Sequence, residues 1–142
     1  MVSQTSLYAL RAVLYLASTG GGPVVAQDIS ESTGVPKGYL HKILRRLGKA
    51  GILHAHRGVG GGYELVNPPA ELSVGEVLKA IEPSSGFENA GRAGEQAADR
   101  SSDALRRLMI SARSHLDTIF ESTTVQDLLN GDADTPAKQI PA

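Results

Sequence analysis

Cysteine is absent from all 142 residues. Without a thiol the chain has no disulfide, no cysteine nucleophile and no thiolate-held zinc or iron–sulfur cluster. Long apolar runs are missing too. None approaches the roughly 20 residues of a membrane span, and the N-terminus lacks the basic-then-apolar pattern of a secretory signal, so a cytoplasmic protein with no membrane partner is expected. Catalytic motifs are equally scarce: four histidines and fifteen carboxylates are present, but no G-x-S-x-G elbow, phosphate loop or Ser/His/Asp order accompanies them. The chain does not read as an enzyme. Its net charge of −1, taken alone, argues against a nucleic-acid partner.

The distribution of that charge argues the other way. Residues 36–66 hold Lys37, Lys42, Arg45, Arg46, Lys49 and Arg57 against Glu64 alone, a net +5, while residues 1–35 carry −1 and residues 67–142 carry −5. A compact basic segment inside a neutral chain is a local electrostatic footprint.

Periodicity places that segment on helices. Leu7, Leu10, Leu14 and Ala17 fall at helical spacing, in a first helix that Gly20-Gly21-Gly22-Pro23 ends. A short second helix, Ala26 to Thr33 with Ile29 inward, is stopped by Gly34, and Pro36 can open a third running from Lys37 to Ala50. Two helices joined by a tight glycine-containing turn are a helix-turn-helix signature. On a wheel of about 100° per residue with Gly38 at zero, Leu40, Ile43, Leu44, Leu47 and Ala50 span roughly 120° to 240°, opposite Lys42, Arg45 and Lys49. His41 and Arg46 flank the basic face. Amphipathicity alone is ordinary, but a polar face without one acidic residue repels itself and is best relieved by phosphates.

The stretch Arg57-Gly58-Val59-Gly60-Gly61-Gly62-Tyr63-Glu64-Leu65 fails as a dinucleotide loop. Counting from Gly58 as the first, its sixth position is Tyr63, and an alternating strand pattern follows. It reads instead as a hairpin tip between strands Ile52–Arg57 and Tyr63–Val66. Helix, helix-turn-helix and hairpin make a winged helix, whose second paired helix enters the major groove while the wing follows the backbone or minor groove. Candidate DNA-contacting residues are Lys37, Gly38, Tyr39, His41, Lys42, Arg45 and Arg46 on the helix, with Arg57, Gly60, Gly61 and Tyr63 on the wing. The glycines are read as bringing backbone N–H groups close to phosphates. Other functions are weaker readings. His54 and His56 share a strand face, but two imidazoles make an incomplete metal site, and a winged helix that only binds proteins leaves the all-basic helix face unexplained.

Beyond the hairpin, Asn67-Pro68-Pro69 stops the sheet, and Ser73-Val74-Gly75-Glu76 predicts a capping box for a helix with Val74, Val77, Leu78 and Ile81 inward. Residues 83–102 hold one large apolar residue, Phe87, and read as a flexible loop. From Asp103 to about Glu121 a helix carries the stripe Leu105, Leu108, Met109, Ala112, Leu116, Ile119 and Phe120. That stripe needs a partner, and a second copy of the chain is favoured over the chain's own domain. Thr123 or Thr124 can cap a last short helix. The expected organisation is a DNA-binding domain at 1–82, a loop at 83–102, a dimerisation helix and short terminal helix at 103–130, and a disordered tail at 131–142. The fold class is mainly α with a small β-hairpin wing.

With these motifs in place, the chain resembles the bacterial winged-helix regulators that include IscR, NsrR and CymR. The matching residues are Tyr8-Ala9-Leu10-Arg11-Ala12, Tyr39-Leu40, Leu47 to Leu53, Arg57 to Leu65, Ser73-Val74-Gly75-Glu76-Val77 and Thr123 to Leu129. The resemblance implies a homodimeric transcription regulator, expected to act as a repressor on a double-stranded DNA operator, with room for an unknown small-molecule effector. Cluster-binding relatives hold iron and sulfur through three cysteines near 88–104, where this chain has Ala90, Ala97 or Ala98, and Ala104. No cofactor is therefore expected, whether those cysteines were lost naturally or replaced. His41 also stands where many relatives carry glutamate, which implies a different base preference.

Overall fold

The computed structural model describes residues 2–82 and 100–132. Helix α1 (Gln4–Ser18) starts at Ser3, whose Oγ accepts from the Ser6 N–H at 3.1 Å. It buries Ser6, Ala9, Ala12, Val13 and Leu16 rather than the stripe Leu7, Leu10, Leu14 and Ala17. Leu7 is exposed, and the other three are only partly buried. The reason is packing distance. Positions 7 to 17 are apolar almost all round the helix, so period alone cannot choose a face, and Ala9 and Ala12 let neighbouring helices come closest.

Around α1 pack α2 (Ala26–Thr33), α3 (Lys37–Lys49), α4 (Val74–Ile81) and the last helix, α6 (Val125–Leu129). Ile29, Val35, Leu40, Ile43, Leu44, Leu47, Val77 and Val125 complete the core. Strands β1 (Leu53–His56) and β2 (Gly62–Leu65) pair antiparallel in the register Leu53↔Leu65, His54↔Glu64, Ala55↔Tyr63, His56↔Gly62. The wing also gains an unexpected bridge from Val24. The Val24 N–H donates to the Tyr63 carbonyl at 2.9 Å, and the Tyr63 N–H donates back to Val24 at 2.8 Å.

Ser73 caps α4 by accepting from the Glu76 N–H at 3.1 Å, the first half of the expected capping box. The complete box lies elsewhere: Thr124 Oγ1 accepts from the Asp127 N–H at 3.0 Å while Asp127 Oδ2 accepts from the Thr124 N–H at 2.9 Å. The two caps lie side by side, with the Val74 N–H donating to Thr123 at 2.8 Å and the Val125 N–H donating to Leu72 at 2.8 Å. Residues 123–129, grouped by sequence with the long helix, are thereby sewn into the core of the first domain.

The long helix α5 runs from Arg100 to Ser122. It starts three residues earlier than periodicity suggests, so residues 100–102 are helix rather than loop, and Asp103 in its first turn reaches both Arg106 and Arg107 at 3.6 Å. The tail assignment also shifts. Gly131 and Asp132 close α6 with bonds to Leu128 and Asp127 at 3.1 and 3.0 Å. Residues 83–99, with Ala90, Ala97 and Ala98, and residues 133–142 lie outside the described residues.

Candidate nucleic-acid interface

The turn before α3 is locked by its own polar groups. Gly34 takes φ 74° as the α2 cap and donates to the Ser30 carbonyl, the Ser30 hydroxyl donates to the Val35 carbonyl at 2.7 Å, and Thr33 Oγ1 accepts from the Val35 N–H at 3.2 Å. This holds α3 with Leu40, Ile43, Leu44 and Leu47 buried. Lys37, Gly38, Tyr39, His41, Lys42, Arg45, Arg46 and Lys49 are all exposed, so seven candidate contacts from the helix share one solvent-facing surface. Ala50, placed on the apolar face by the wheel, is exposed because the helix has already ended in its cap.

Among the described residues no carboxylate pairs with Lys37, Lys42, Arg45 or Lys49. Arg46 differs. Its Nη1 donates to the Ile81 carbonyl at 3.2 Å, satisfying an open carbonyl at the end of α4. Periodicity could not separate this arginine from its neighbours, because the bond spans 35 residues.

On the wing, Gly58, Gly60 and Gly62 have φ of 90°, 78° and 143°, and Gly61 donates to the Gly58 carbonyl at 3.0 Å to close the tip. Two of these glycines are demanded by the fold. A Cβ on Gly61 would lie 2.4 Å from the His56 carbonyl oxygen, and one on Gly62 would lie 2.5 Å from the Val24 backbone. Gly58 and Gly60 have open space around them and lie with the fully exposed Val59 at the apex. Arg57 is exposed at the base of the tip. Tyr63 is only partly exposed, packing its ring on the core and its backbone on Val24.

Local pattern carried no sign of one neighbour of the exposed α3 face. The rings of Tyr8 and Tyr39 lie 6.1 Å apart at 57°, and Gln4 Nε2 donates to the Tyr8 hydroxyl at 2.8 Å. The N-terminal parts of α1 and α3 therefore adjoin, a long-range contact without a local signal.

Away from this face, α5 buries no residue in the chain. Leu105 and Leu108 are 60% and 63% exposed, and Ala112 is also exposed. Met109, Leu116, Ile119 and Phe120 are partly covered, and three of these, Met109, Leu116 and Phe120, line a groove against Leu78 of α4. At the groove rim Lys79 Nζ meets Glu121 at 2.7 Å. The hydrogen bond and charge of Glu121 hold the Lys79 ammonium above its ordinary pKa.

The family model described as Rrf2, iron-dependent transcriptional regulator, matches residues 2–131. A Mycobacterium tuberculosis protein named as an HTH-type transcriptional regulator is 32% identical over 132 residues, 92% of this chain and 81% of its own. Among solved structures, IscR of T. potens matches with a TM-score of 0.74 at 26% identity, over 100% of this chain and 93% of its own. CymR of B. subtilis, titled a global cysteine regulator, matches with a TM-score of 0.72 at 26% identity, over 90% of this chain and 95% of its own. A basic helix over a helix-turn-helix core, a glycine-tipped wing and the long helix α5 thus coincide with a match across nearly the whole sequence, and the chain belongs to the Rrf2 family of winged helix-turn-helix transcriptional regulators.

Proposed function

We propose that the protein is a sequence-specific DNA-binding regulator that acts as a homodimer, inserting α3 into the major groove and laying the wing along the backbone or minor groove. The observation that carries this reading is the face of α3. Its cations Lys37, Lys42, Arg45 and Lys49 are exposed without carboxylate partners among the described residues, over a buried row of leucine and isoleucine. Such a face gains most from phosphates, whose condensed counterions are released on contact. His41, Lys42 and Arg45 are placed to read base edges, Tyr39 and Arg57 to position the duplex.

Pairing through α5 supplies the second half-site. The exposed apolar row Leu105 and Leu108, continuing into Leu116 and Ile119, is a surface that a second copy covers. Bound in this way, the dimer excludes other proteins from its operator, which makes repression the simplest outcome.

The family description names iron, but these residues do not fit an iron–sulfur cluster. The chain has no cysteine, and among the described residues no three histidines, aspartates or glutamates converge as a metal site. Regulation in this protein is proposed to run through an organic ligand or a partner rather than a thiolate-held cluster.

The test is selection of bound duplexes from genomic fragments, followed by titration of a selected duplex at several salt concentrations. A steep fall of affinity with salt and a clear fragment consensus are expected. Binding without sequence preference, or none at all, would remove the proposed role.

A further inference from the structure

The outer face of the wing holds a charge cluster that the recognition helix does not explain. By the strand register His54 lies opposite Glu64, and His56, two residues along, is on the same face. His56 Nε2 and Glu64 Oε1 are 2.5 Å apart, and the His54 ring meets the His56 ring edge-on at 4.6 Å. His54 is exposed, and the His56 and Glu64 side chains are about a third exposed. Arg57 follows directly and is exposed.

Glu64 is the single carboxylate on β1, β2 and the two helices packed against them. On α3 the titratable groups are Tyr39, His41, Lys42, Arg45, Arg46 and Lys49, with Lys37 at its start; on α1 they are Tyr8, Arg11 and Tyr15; on β2, Tyr63 accompanies Glu64. A carboxylate facing a duplex repels it unless a cation covers it. Among the described residues the group recorded against it is the His56 imidazole, with the His54 ring packed on that ring in turn, and imidazoles change charge between about pH 5 and 8. With both rings protonated the His54, His56 and Glu64 cluster carries +1. With both neutral it carries −1.

We propose that this cluster is a proton-linked phosphate contact, so that binding of DNA to the wing takes up protons on His54 and His56. The inference rests on the DNA-binding reading above. Phosphate favours the imidazolium form over the neutral ring, so binding is strongest at low pH and weakens as pH rises. Glu64 is a positioning residue in this scheme. It holds the His56 ring against the strand.

The experiment uses a selected duplex at fixed ionic strength. His41, the other imidazole on the DNA-facing side, is removed by His41→Gln, so that the wing alone is read. In that background, affinity is expected to fall about tenfold from pH 6 to 8, the change given by a net uptake of one proton over one pH unit or less over two. His54→Gln with His56→Gln should reduce the fall to less than about twofold, which linkage requires if these rings are its source. Glu64→Gln should tighten binding at pH 8 by removing a carboxylate that repels the duplex, which loss of wing structure would not do. Calorimetry in two buffers of different ionisation heat should show net proton uptake on binding. Salt-dependent binding that is flat in pH, zero proton uptake, or an unchanged fall in the histidine-free wing would overturn the inference while leaving the DNA-binding reading intact. Absence of binding by the parent protein at any pH would remove both.

Discussion

Arg46 and Lys42 stand one turn apart on α3, yet they do different work. Lys42 is exposed without a carboxylate partner among the described residues, whereas Arg46 donates to the last turn of α4. Replacing Lys42, Arg45 or Arg57 by Ala is expected to weaken operator binding and to lower the slope of log affinity against log salt by about one for each phosphate left unneutralised. Arg46→Ala should change that slope less and lower thermal stability more. Titrations over a salt series, with melting curves of the same proteins, check both halves; parent-like binding by all of the first three would show that the recognition face is misassigned. The wing glycines separate in the same way. Gly62→Ala meets both an unfavourable φ of 143° and the Val24 backbone, and should cost roughly 2–3 kcal/mol. Gly58→Ala meets only its φ of 90° in open space, and about 1 kcal/mol is expected. Urea denaturation of the two variants gives the comparison. The basic face and the glycine-rich tip were legible in the sequence because both are local patterns. The partner of Arg46 and the crowding at Gly62 were not, since each involves a residue more than 30 positions away.

At the scale of elements, α5 is the piece whose burial the chain does not supply. Leu116 contacts the α4 groove as well as continuing the exposed row, so Leu108, 63% exposed, is the cleaner probe. Leu108→Asp is expected to give monomers that keep the helix content of the parent but bind a two-half-site operator far more weakly, because the half-sites are no longer linked. Sedimentation at micromolar concentration decides this; a monomeric parent would end the dimer proposal. The ion pair from Lys79 to Glu121 ties α4 to α5 at an exposed rim. Because the folded pKa of Lys79 is raised above 10.5, its contribution is fully present below the unfolded pKa and fades only as pH climbs through the raised value. Both partners are well exposed, which keeps the effect small. The stability difference between parent and Glu121→Gln should therefore stay constant from about pH 7 to 9 and shrink in more alkaline solution, as a pH series of melting curves would show.

For the whole molecule, the absence of cysteine has the widest consequence. The protein should purify colourless and without stoichiometric iron, and its DNA affinity should not depend on oxygen; iron and sulfide analysis after anaerobic reconstitution checks this. That expectation rests on composition alone, because no tertiary arrangement can supply a thiolate that the chain lacks. Local pattern likewise determined the helix-turn-helix, the hairpin and the opposed faces of α3, since helical and strand periods of apolar residues are written within a few turns. Only the tertiary structure decided which side of α1 is buried, because that helix is apolar almost all round and the choice fell to the small residues Ala9 and Ala12. It also decided that Val24 pairs with the wing, that α4 and α6 share their caps, and that His56 covers the one carboxylate of the basic segment. These are contacts between distant stretches of chain, and their energies come from packing and hydrogen-bond satisfaction in three dimensions, which no local period records.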